Sequence, residues 1–481
     1  MRKLKRGIGL AIIVHLLAGV PLTGDQAAGN DDGKPNFIII FADDLGYGDL
    51  GCFGHPTIRT PHLDRLASEG MKLTSFYVAS SVCTPSRAAL LTGRLPIRSG
   101  MSGDAKRRVL YPHHEGGLVA GEVTIAEVLK EAGYATGCVG KWHLGVGEEH
   151  VPNSQGFDYY YGLLYSNDMN IEEGRVRYEA SMNPDADPGW YDIPLYRNRS
   201  IIERPVEQHT LTKRYAEEAV QFIDRHKDEP FLLYLPHTMP HVPLFASKDF
   251  EGKSPRGRYG DTVEEIDLGV GEIVRALREA GIDKKTLILF TSDNGPWLRM
   301  QVNGGSGGLL RDGKGGCWEG GFRVPAIAWW PGKIPAGSVH HGMVSTMDLL
   351  PTLAGLTGAA VPPDRIIDGI DMRDGFLRNK ASPRDTYFYY RGNELYAVRK
   401  GIYKAHFSTW DGYSRVPAEE HDPPLLFNLE MDPSEKHDIA QGNPVIVEEL
   451  SKLAADHIER MEPGEPQFYT LLPVWGNRGG E

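Results

Sequence analysis

The sequence predicts an α/β fold, with a mixed, mainly parallel sheet sandwiched by helices and a smaller C-terminal α+β subdomain that contains an antiparallel sheet. Two apolar runs, 36–42 and 286–292, are continuous rather than alternating, which is typical of buried parallel strands. Amphipathic helices at 211–226 and 261–280 alternate with such strands, and this order favours helices on both faces of a parallel sheet. The 481 residues are enough for a large core and two domains.

The N-terminus has the pattern of a targeting segment. Basic residues at positions 2, 3, 5 and 6 precede an apolar run over 8–22, and small residues follow at 27–29. We predict a signal peptide over residues 1–28, because the apolar run is short for a membrane span; an uncleaved anchor is the alternative. We therefore expect an exported protein without a membrane anchor after cleavage. It would be periplasmic or secreted, or lysosomal or extracellular in a eukaryote.

Composition argues against nucleic-acid binding and against a disulfide-rich fold. The sequence has 52 Lys and Arg against 64 Asp and Glu, a formal net charge of −12, which argues against a nucleic-acid-binding surface. An anionic substrate would then require positive charge concentrated in the site. The 4 cysteines are too few for a disulfide scaffold, and the sequence leaves the pairing of Cys52, Cys138 and Cys317 open.

The remaining elements are placed by periodicity and by turn residues. Long loops without clear periodicity are expected over 156–204, above the site. A composition change near 379–385 predicts a boundary between a catalytic domain, 34–380, and a C-terminal subdomain, 381–475. Further helices are predicted at 61–70, 124–132 and 444–461, and further strands at 230–235, 326–330, 386–390, 395–398, 403–407 and 425–429.

The run 82–94 reads as a helix with chemistry at its start. Thr84 suits the N-cap position and Gly93 suits the end of the helix. Cys83 would then lie just outside the positive end of the helix dipole, where free N–H groups favour an anion. Arg87, one turn on, adds a fork of donors suited to a tetrahedral oxyanion. This pattern indicates ester chemistry on a sulfate or phosphate, and a buried structural cysteine is the alternative.

Acidic and amide side chains follow two of the predicted strands. Asp43 and Asp44 come after the strand at 36–42, and Asp293 and Asn294 come after the strand at 286–292. The carboxyl ends of parallel strands meet at one edge of a sheet, so these side chains can converge. Oxygen ligands without His or Cys describe a site for a hard cation, Ca²⁺ or Mg²⁺. Helix capping after a strand is the alternative interpretation.

Basic side chains could complete the site. Lys141 and His143 lie two apart in a Gly-flanked segment, so in extended backbone they would point the same way. His241 follows the strand at 230–235, and Lys314 lies on a Gly-rich loop. Taken singly, each is better explained as a surface lysine or a core histidine. With Arg87 they would form a cationic shell around an anionic ester.

The motifs in their order along the chain resemble those of the formylglycine-dependent (type I) sulfatases of the alkaline phosphatase superfamily. The resemblance implies an alkaline-phosphatase-like fold and a sulfuric ester hydrolase that releases inorganic sulfate. It also implies a maturation enzyme that converts Cys83 to formylglycine. The matching blocks are 41–50, 83–94, 140–145, 241–243, 292–295, 313–314 with 319–321, and 426–429 with 432–433.

The resemblance further implies a role for each site residue. The aldehyde hydrate at position 83 would attack sulfur in line, and a gem-diol can later expel sulfate by forming a carbonyl. His241 is preferred to His237 because His-x-Pro matches the family pattern, and Ser166 lies where some members place a sulfate contact. The implied ligands of one Ca²⁺, favoured over Mg²⁺, are Asp43, Asp44, Asp293, Asn294 and the modified Cys83. The implied catalytic residues are Cys83 as nucleophile, Arg87 and Lys141 to position the diol, His143 as base, and His241 and Lys314 at the leaving oxygen.

The substrate is expected to be an organic sulfate ester. A sulfated saccharide is favoured by the resemblance to glycan sulfatases and by the polar, aromatic loops at 156–204, and an aryl sulfate is the alternative. A phosphomonoesterase or phosphodiesterase of the same superfamily is one rival, but such relatives use Ser or Thr with two metals, and the extra His and Asp ligands are not found. A catalytically silent binding protein is the other rival, and it predicts damaged motifs.

Overall fold

The computed structural model describes residues 33–104, 107–183 and 186–469, so the predicted signal peptide lies outside the described residues. The helices are α1 (Pro61–Glu69), α2 (Cys83–Thr92), α3 (Ile125–Glu131), α4 (Arg177–Met182), α5 (Leu211–His226), α6 (Arg258–Glu279), α7 (Glu319–Phe322), α8 (Leu349–Thr357), α9 (Arg373–Arg378) and α10 (Pro444–Glu459). The strands are β1 (Asn36–Ala42), β2 (Met71–Tyr77), β3 (Ala135–Lys141), β4 (Tyr159–Leu163), β5 (Leu195–Arg197), β6 (Ser200–Glu203), β7 (Phe231–Pro236), β8 (Thr286–Ser292), β9 (Arg323–Trp329), β10 (Ser338–His340), β11 (Val344–Ser345), β12 (Thr386–Arg391), β13 (Glu394–Lys400), β14 (Tyr403–Thr409) and β15 (Glu419–Asn428). Within this part of the chain, no helix has the length and apolar character needed to cross a bilayer.

The large sheet has 11 strands in the order β10-β2-β9-β8-β1-β7-β3-β4-β5-β6, with β11 paired to β2. Strand β1 lies near its centre and pairs in parallel with both β7 and β8. Every residue of β1 and β8 is buried, which explains why neither run alternates. Strand β9 runs antiparallel to β8 and β2, so the sheet is mixed, as predicted.

Two groups of helices pack on this sheet. Helix α5 contacts β3, β7 and α6, while α2 and α3 contact α8. The amphipathic pattern of α5 is confirmed, because its predicted inward residues Tyr215, Ala219, Phe222 and Ile223 are all buried. The helices therefore cover the parallel centre of the sheet, from which the polar ends of β1 and β8 emerge.

Two parts of the large sheet differ from the prediction. The segment 156–204 was expected to be loops, but it contains β4, α4 and the β5–β6 pair. Its aromatic run hides the strand, because Tyr160 and Tyr161 are both buried and leave no alternation. Strand β2 was not predicted, although it pairs antiparallel with β9 and parallel with β10.

The C-terminal sheet is antiparallel, in the order β12-β13-β14-β15, as predicted. A buried cluster of charges joins it to the Gly-rich segment that precedes β9. The Glu319 carboxylate accepts hydrogen bonds from the hydroxyls of Tyr77 (2.5 Å) and Tyr389 (2.8 Å). Lys404 Nζ lies 3.1 Å from Glu319 and 3.0 Å from Glu435, and all three side chains are fully buried. The division at 380/381 remains a prediction.

Because of this buried cluster, we expect the free energy of unfolding to depend on pH. Burial alone would raise the pKa of Glu319, but the charges of Lys404 and Arg399 outweigh it and lower this pKa to about 2. The carboxylate therefore stabilises the fold fully above the usual glutamate range, and its contribution is lost as the pH falls through about 2. We expect Lys404→Met to lower the free energy of unfolding by about 3–5 kcal/mol at pH 7, measured by urea titration.

The exposed pair Lys400–Glu449 provides a matched control. Its atoms are 2.6 Å apart, but the side chains are 42% and 54% exposed. Lys400→Met should therefore leave the urea midpoint close to that of the wild type. Equal effects of the two substitutions at pH 7 would contradict a stabilising role for the buried cluster.

Candidate functional site

The ends of β1 and β8 bring the predicted metal ligands together. Ala42 is in register with Ser292, so Asp43 and Asp293 occupy equivalent positions after neighbouring strands. Asp44 has a positive φ of 66°, and this turn directs its backbone N–H to Asp293 Oδ1 at 3.1 Å. The turn therefore places the carboxylates at the same edge of the sheet.

The residues at this edge fit a hard cation. Ligand atoms of Asp43, Asp44, Cys83 and His241 all lie within 4.8 Å of one another, and the four residues are buried. Asn294 Nδ2 donates to Asp44 Oδ1 (2.7 Å), whereas the buried Asn294 Oδ1 has no partner among the described residues. An amide oxygen in that state is suited to a cation, as are the carboxylates. His241 belongs to this group although the sequence did not place it among the ligands.

Asp293 has a different environment from the other carboxylates. Burial and the nearby charge of Asp43 raise the pKa of Asp293 to about 7. Its Oδ2 accepts two hydrogen bonds from the Arg87 guanidinium, at 2.8 and 3.0 Å. A divalent cation beside Asp293 would counter both causes of the raised pKa.

Asp43, Asp44 and Asp293 form an acidic edge of the sheet, and three cationic side chains neutralise it. Lys141 Nζ lies 2.5 Å from Asp43, Lys314 Nζ lies 2.7 Å from Asp44, and Arg87 binds Asp293. Burial would raise the pKa of Asp43, but the Lys141 charge, helped by further cations, holds it far below the usual range. The predicted basic residues therefore lie in the site and pair with the predicted acidic residues.

Cys83 is the first residue of α2 and does not lie just outside the helix, the position that the sequence predicted. Val82, in extended conformation, occupies the N-cap position without a side-chain hydrogen bond. The Thr84 hydroxyl, predicted to cap the helix, instead donates to the carbonyl of His143 (3.0 Å) and accepts from Leu110 N (3.2 Å). These tertiary partners outcompete the local cap. The end at Gly93 is as predicted, with φ 67° and its N–H bonded to Ala89.

The Cys83 side chain faces the acidic edge. Its Sγ lies 3.6 Å from Asp43 Oδ1, and the residue is 1% exposed. Burial raises the pKa of this thiol, so an unmodified Cys83 would stay protonated and be a poor nucleophile. Cys52, Cys83, Cys138 and Cys317 are all free cysteines.

His143 reaches the site by a turn rather than by strand alternation. Strand β3 ends at Lys141, and His143 has a φ of 63°, so the predicted extended backbone across 141–143 is wrong. His143 Nε2 lies 2.9 Å from the Leu110 carbonyl, which can only accept, so Nε2 carries the hydrogen. Nδ1 has no partner among the described residues. Burial and the Lys141 charge hold the pKa of His143 well below its usual value, which leaves the ring neutral and Nδ1 unprotonated.

Ser166 lies between Lys141 and His241. Ser166 Oγ is 3.2 Å from Lys141 Nζ and 3.5 Å from His241 Nδ1. His241 Nδ1 also lies 2.5 Å from the Val242 carbonyl, so the proton on Nδ1 is held and Nε2 is the nitrogen free to exchange one. His237 instead packs against Tyr215 in the core, where burial lowers its pKa to about 3.

A cavity of about 290 Å³ opens onto these groups. It is lined by the predicted residues Cys83, His143, Ser166, His241 and Lys314. It is also lined by residues that the sequence did not single out: Arg108, Tyr111, Asp168, Arg177, Tyr178, Trp297, Arg299 and Tyr413. These lie on irregular segments or on the short helix α4, where no spacing connects them. For Asp168, Arg177 and Tyr178, the only available signal was the aromatic and polar composition of 156–204.

The cavity wall combines aromatic rings with positive charge. The Trp297 ring lies 4.6 Å from Lys314 Nζ and 5.1 Å from the Tyr413 ring. Arg108 lies over the same Tyr413 ring at 4.6 Å. Tyr413 belongs to the β14–β15 connection, so the C-terminal sheet contributes to the cavity. Such a wall suits an anionic ligand with a ring to stack.

Comparisons with known proteins identify the family of the chain. Residues 35–359 match the Sulfatase family, and residues 382–478 match the C-terminal region of aryl-sulfatase. Human arylsulfatase A is 43% identical over 447 residues, covering 87% of each chain. Pig N-acetylgalactosamine-6-sulfatase is 40% identical, covering 98% of this chain and 94% of its own.

A solved structure supports the fold. Ps i-CgsB, solved in complex with k-i-k-neocarrahexaose, has a TM-score of 0.76 and 32% identity, covering 92% of this chain and 96% of its own. The predicted alkaline-phosphatase-like fold is confirmed. The family match spans more than half of the chain. Both relatives are sulfatases, and each is aligned over most of its length. The chain therefore belongs to the sulfatase family and is a sulfuric ester hydrolase.

Proposed function

We propose that this sulfatase acts on sulfated saccharides and that its nucleophile is the hydrate of a formylglycine made from Cys83. The observation that carries the proposal is the position of Cys83, at the N-terminus of α2 and 3.6 Å from Asp43, in a cavity lined by cations. The hydrate supplies an oxygen nucleophile and a route for sulfate release by carbonyl formation. A maturation enzyme of the host is the required partner.

Three side chains around position 83 have separate roles. Arg87 is anchored to Asp293 and to the Lys141 carbonyl (2.7 Å), so it fixes the start of α2 relative to the acidic edge. Lys141 lies between Asp43 and Ser166, where its ammonium can position an oxygen of the sulfate or of the nucleophile. His143 would accept a proton at Nδ1, which has no partner among the described residues, when sulfate is released.

Lys314 and His241 face the same cavity and serve the leaving oxygen. Asp44 outweighs burial and raises the pKa of Lys314 well above its usual value, so Lys314 stays charged and stabilises a developing alkoxide. Burial and the Lys314 charge lower the pKa of His241, so a proton on its Nε2 is readily given up.

The residues that would hold one Ca²⁺ are Asp43, Asp44, Asp293, Asn294 and the modified Cys83. The donors are oxygens after modification, which favours Ca²⁺ or Mg²⁺ over softer metals. The cation would neutralise ester oxygens and favour attack at sulfur. His241 Nε2, 3.7 Å from Asp44 Oδ2, lies at the edge of this group.

Removal of the cation should reveal this site. We expect dialysis against a chelator to lower kcat by at least about a hundredfold and to lower the melting temperature, because the cation binds only the folded chain. Added Ca²⁺ should restore both, and Mg²⁺ should restore less. Full activity and an unchanged melting temperature after verified metal removal would contradict the assignment.

The substrate class is proposed from the cavity and from the relatives. Arg108, Arg177, Arg299 and Lys314 line the cavity although the chain carries a net charge of −12, so positive charge is concentrated there. Relatives include an N-acetylgalactosamine-6-sulfatase and a structure that holds a neocarrahexaose, both of which concern saccharides. In a sulfated sugar, the sulfate can bind the cationic side chains and the sugar ring can stack on the aromatic rings of the cavity.

Sulfate release tests the proposal. The protein from its native host is incubated with 4-nitrophenyl sulfate, 4-nitrophenyl phosphate and a panel of sulfated saccharides, and inorganic sulfate or phosphate is measured. We expect sulfate release with a higher kcat/KM for a saccharide than for the aryl ester. Faster phosphate release would favour the phosphoesterase rival, and no release from any ester would favour a silent binding protein.

We also propose that residues 1–28 are a signal peptide and that the mature protein is exported, with a catalytic domain at 34–380 and a C-terminal subdomain at 381–475. The basic start, the apolar run and the small residues support export. N-terminal sequencing of protein recovered outside the cytoplasm should begin near residue 29. An intact Met1 in that protein would contradict cleavage.

A further inference from the structure

One carboxylate in the cavity has no task in the proposed reaction. Asp168 lines the cavity and is 3% exposed. Its Oδ1 is buried and has no hydrogen-bond partner among the described residues. A buried carboxylate with an oxygen left in this state is costly, so Asp168 would be stabilised by a hydrogen-bond donor that a ligand brings into the cavity.

The backbone around Asp168 is held rigidly. The neighbouring Asn167 is fully buried and donates to Gln208 Oε1 (2.9 Å) and to the Pro243 carbonyl (3.1 Å). On its other side, Ser166 contacts Lys141 Nζ at 3.2 Å. Asp168 is thus fixed two residues from a group that touches the reacting centre, as a recognition residue requires.

Arg177 completes a pair with Asp168. Its Nε lies 3.6 Å from Asp168 Oδ2, and its Nη2 donates to the Tyr111 hydroxyl at 2.9 Å. Burial alone would raise the pKa of Asp168, but the Arg177 charge, with those of Lys141 and Lys314, lowers it, so the carboxylate is ionised. An acceptor and a planar donor therefore stand side by side in one wall of the cavity.

We infer that Asp168 and Arg177 recognise neighbouring hydroxyl groups of the sugar ring that carries the sulfate, with the Asp168 carboxylate accepting from one hydroxyl and Arg177 donating to the next oxygen. This inference rests on the proposed function and narrows its substrate class. The ester must carry a free hydroxyl that can donate close to the sulfate. Aryl and steryl sulfates lack that donor and leave the Asp168 carboxylate without a ligand hydrogen bond.

The test measures kcat/KM of the wild type and of Asp168→Ala on the same set of substrates. The substrates are 4-nitrophenyl sulfate, N-acetylgalactosamine 6-sulfate (or the saccharide that ranks higher in the screen above) and the deoxy analogues of that saccharide. We expect Asp168→Ala to lower the ratio of saccharide to aryl kcat/KM by about a hundredfold, the effect of losing a hydrogen bond to a charged group. The wild type should reject one deoxy analogue by a similar factor, and Asp168→Ala should not discriminate against it.

Controls separate recognition from folding. Asp168→Asn keeps the shape and one acceptor oxygen, so its ratio should lie between those of the wild type and Asp168→Ala. Asp374→Ala, at an exposed position of α9, should match the wild type in every assay. Melting temperatures of all variants are recorded beside the rates.

The outcomes are distinct. Equal losses on saccharide and aryl sulfate, or unchanged discrimination against every deoxy analogue in Asp168→Ala, would show that Asp168 is structural and would overturn the inference. Hydrolysis of aryl but of no saccharide sulfate would overturn it as well, while leaving the sulfatase intact. Absence of all sulfate release from the wild type would instead reject the proposed function.

Discussion

Cys83→Ala is expected to abolish sulfate release, with a loss of at least about 10⁴-fold in kcat, because the variant cannot form the proposed nucleophile, an aldehyde hydrate at position 83. Cys83 is 1% exposed and contacts the acidic edge through Asp43 Oδ1. Removal of its small side chain leaves β1 and the rest of α2 unchanged. The measurement is inorganic sulfate released from 4-nitrophenyl sulfate, with peptide mass spectrometry across residue 83 of the wild type.

The same experiment tests the chemistry of the nucleophile. The wild-type peptide should have the mass expected when the CH₂SH of Cys83 becomes CHO. Cys83→Ser should also be inactive and should accumulate a sulfated peptide, since a sulfated serine cannot expel sulfate by forming a carbonyl. Cys52→Ala, a half-buried cysteine outside the cavity, is the control and should retain activity. An unmodified thiol in fully active wild-type protein would rule out the formylglycine mechanism.

The sequence was most informative where one physical cause dominates. The strand 286–292 is predicted to the residue because every position in it is buried. The same continuity placed Asp43 and Asp293 after neighbouring parallel strands, so their convergence could be predicted without coordinates. Helix α5 was also predicted to the residue, because a single apolar face against the sheet fixes its period.

Prediction failed where distant partners decide the geometry. Thr84 has the composition of an N-cap, but the His143 carbonyl and Leu110 N–H engage its hydroxyl. His143 adopts φ 63°, which no local pattern required. Asp168 and Tyr413 enter the cavity from segments 245 positions apart in the chain, and only the folded sheets bring them together.

The second large effect is expected at Arg87. We expect Arg87→Gln to lower kcat by at least about a thousandfold and the free energy of unfolding by about 3–5 kcal/mol, because it leaves buried carboxylates without their cation. Arg87 is fully buried, binds Asp293 through two N–H groups and lies 3.6 Å from Asp43. Its loss would raise the pKa of Asp293 further. Sulfate release and urea unfolding in excess Ca²⁺ measure the two effects.

The control variants separate charge from geometry. Arg87→Lys retains the charge but not the planar fork, so we expect losses between those of the wild type and Arg87→Gln. Arg378→Gln, at a side chain that is 66% exposed, should change neither quantity. Wild-type activity in Arg87→Gln would show that Asp293 and the start of α2 hold their positions without the guanidinium. Loss of stability with full activity would show that Arg87 only stabilises the fold. Lys141 would then be the residue that positions the nucleophile.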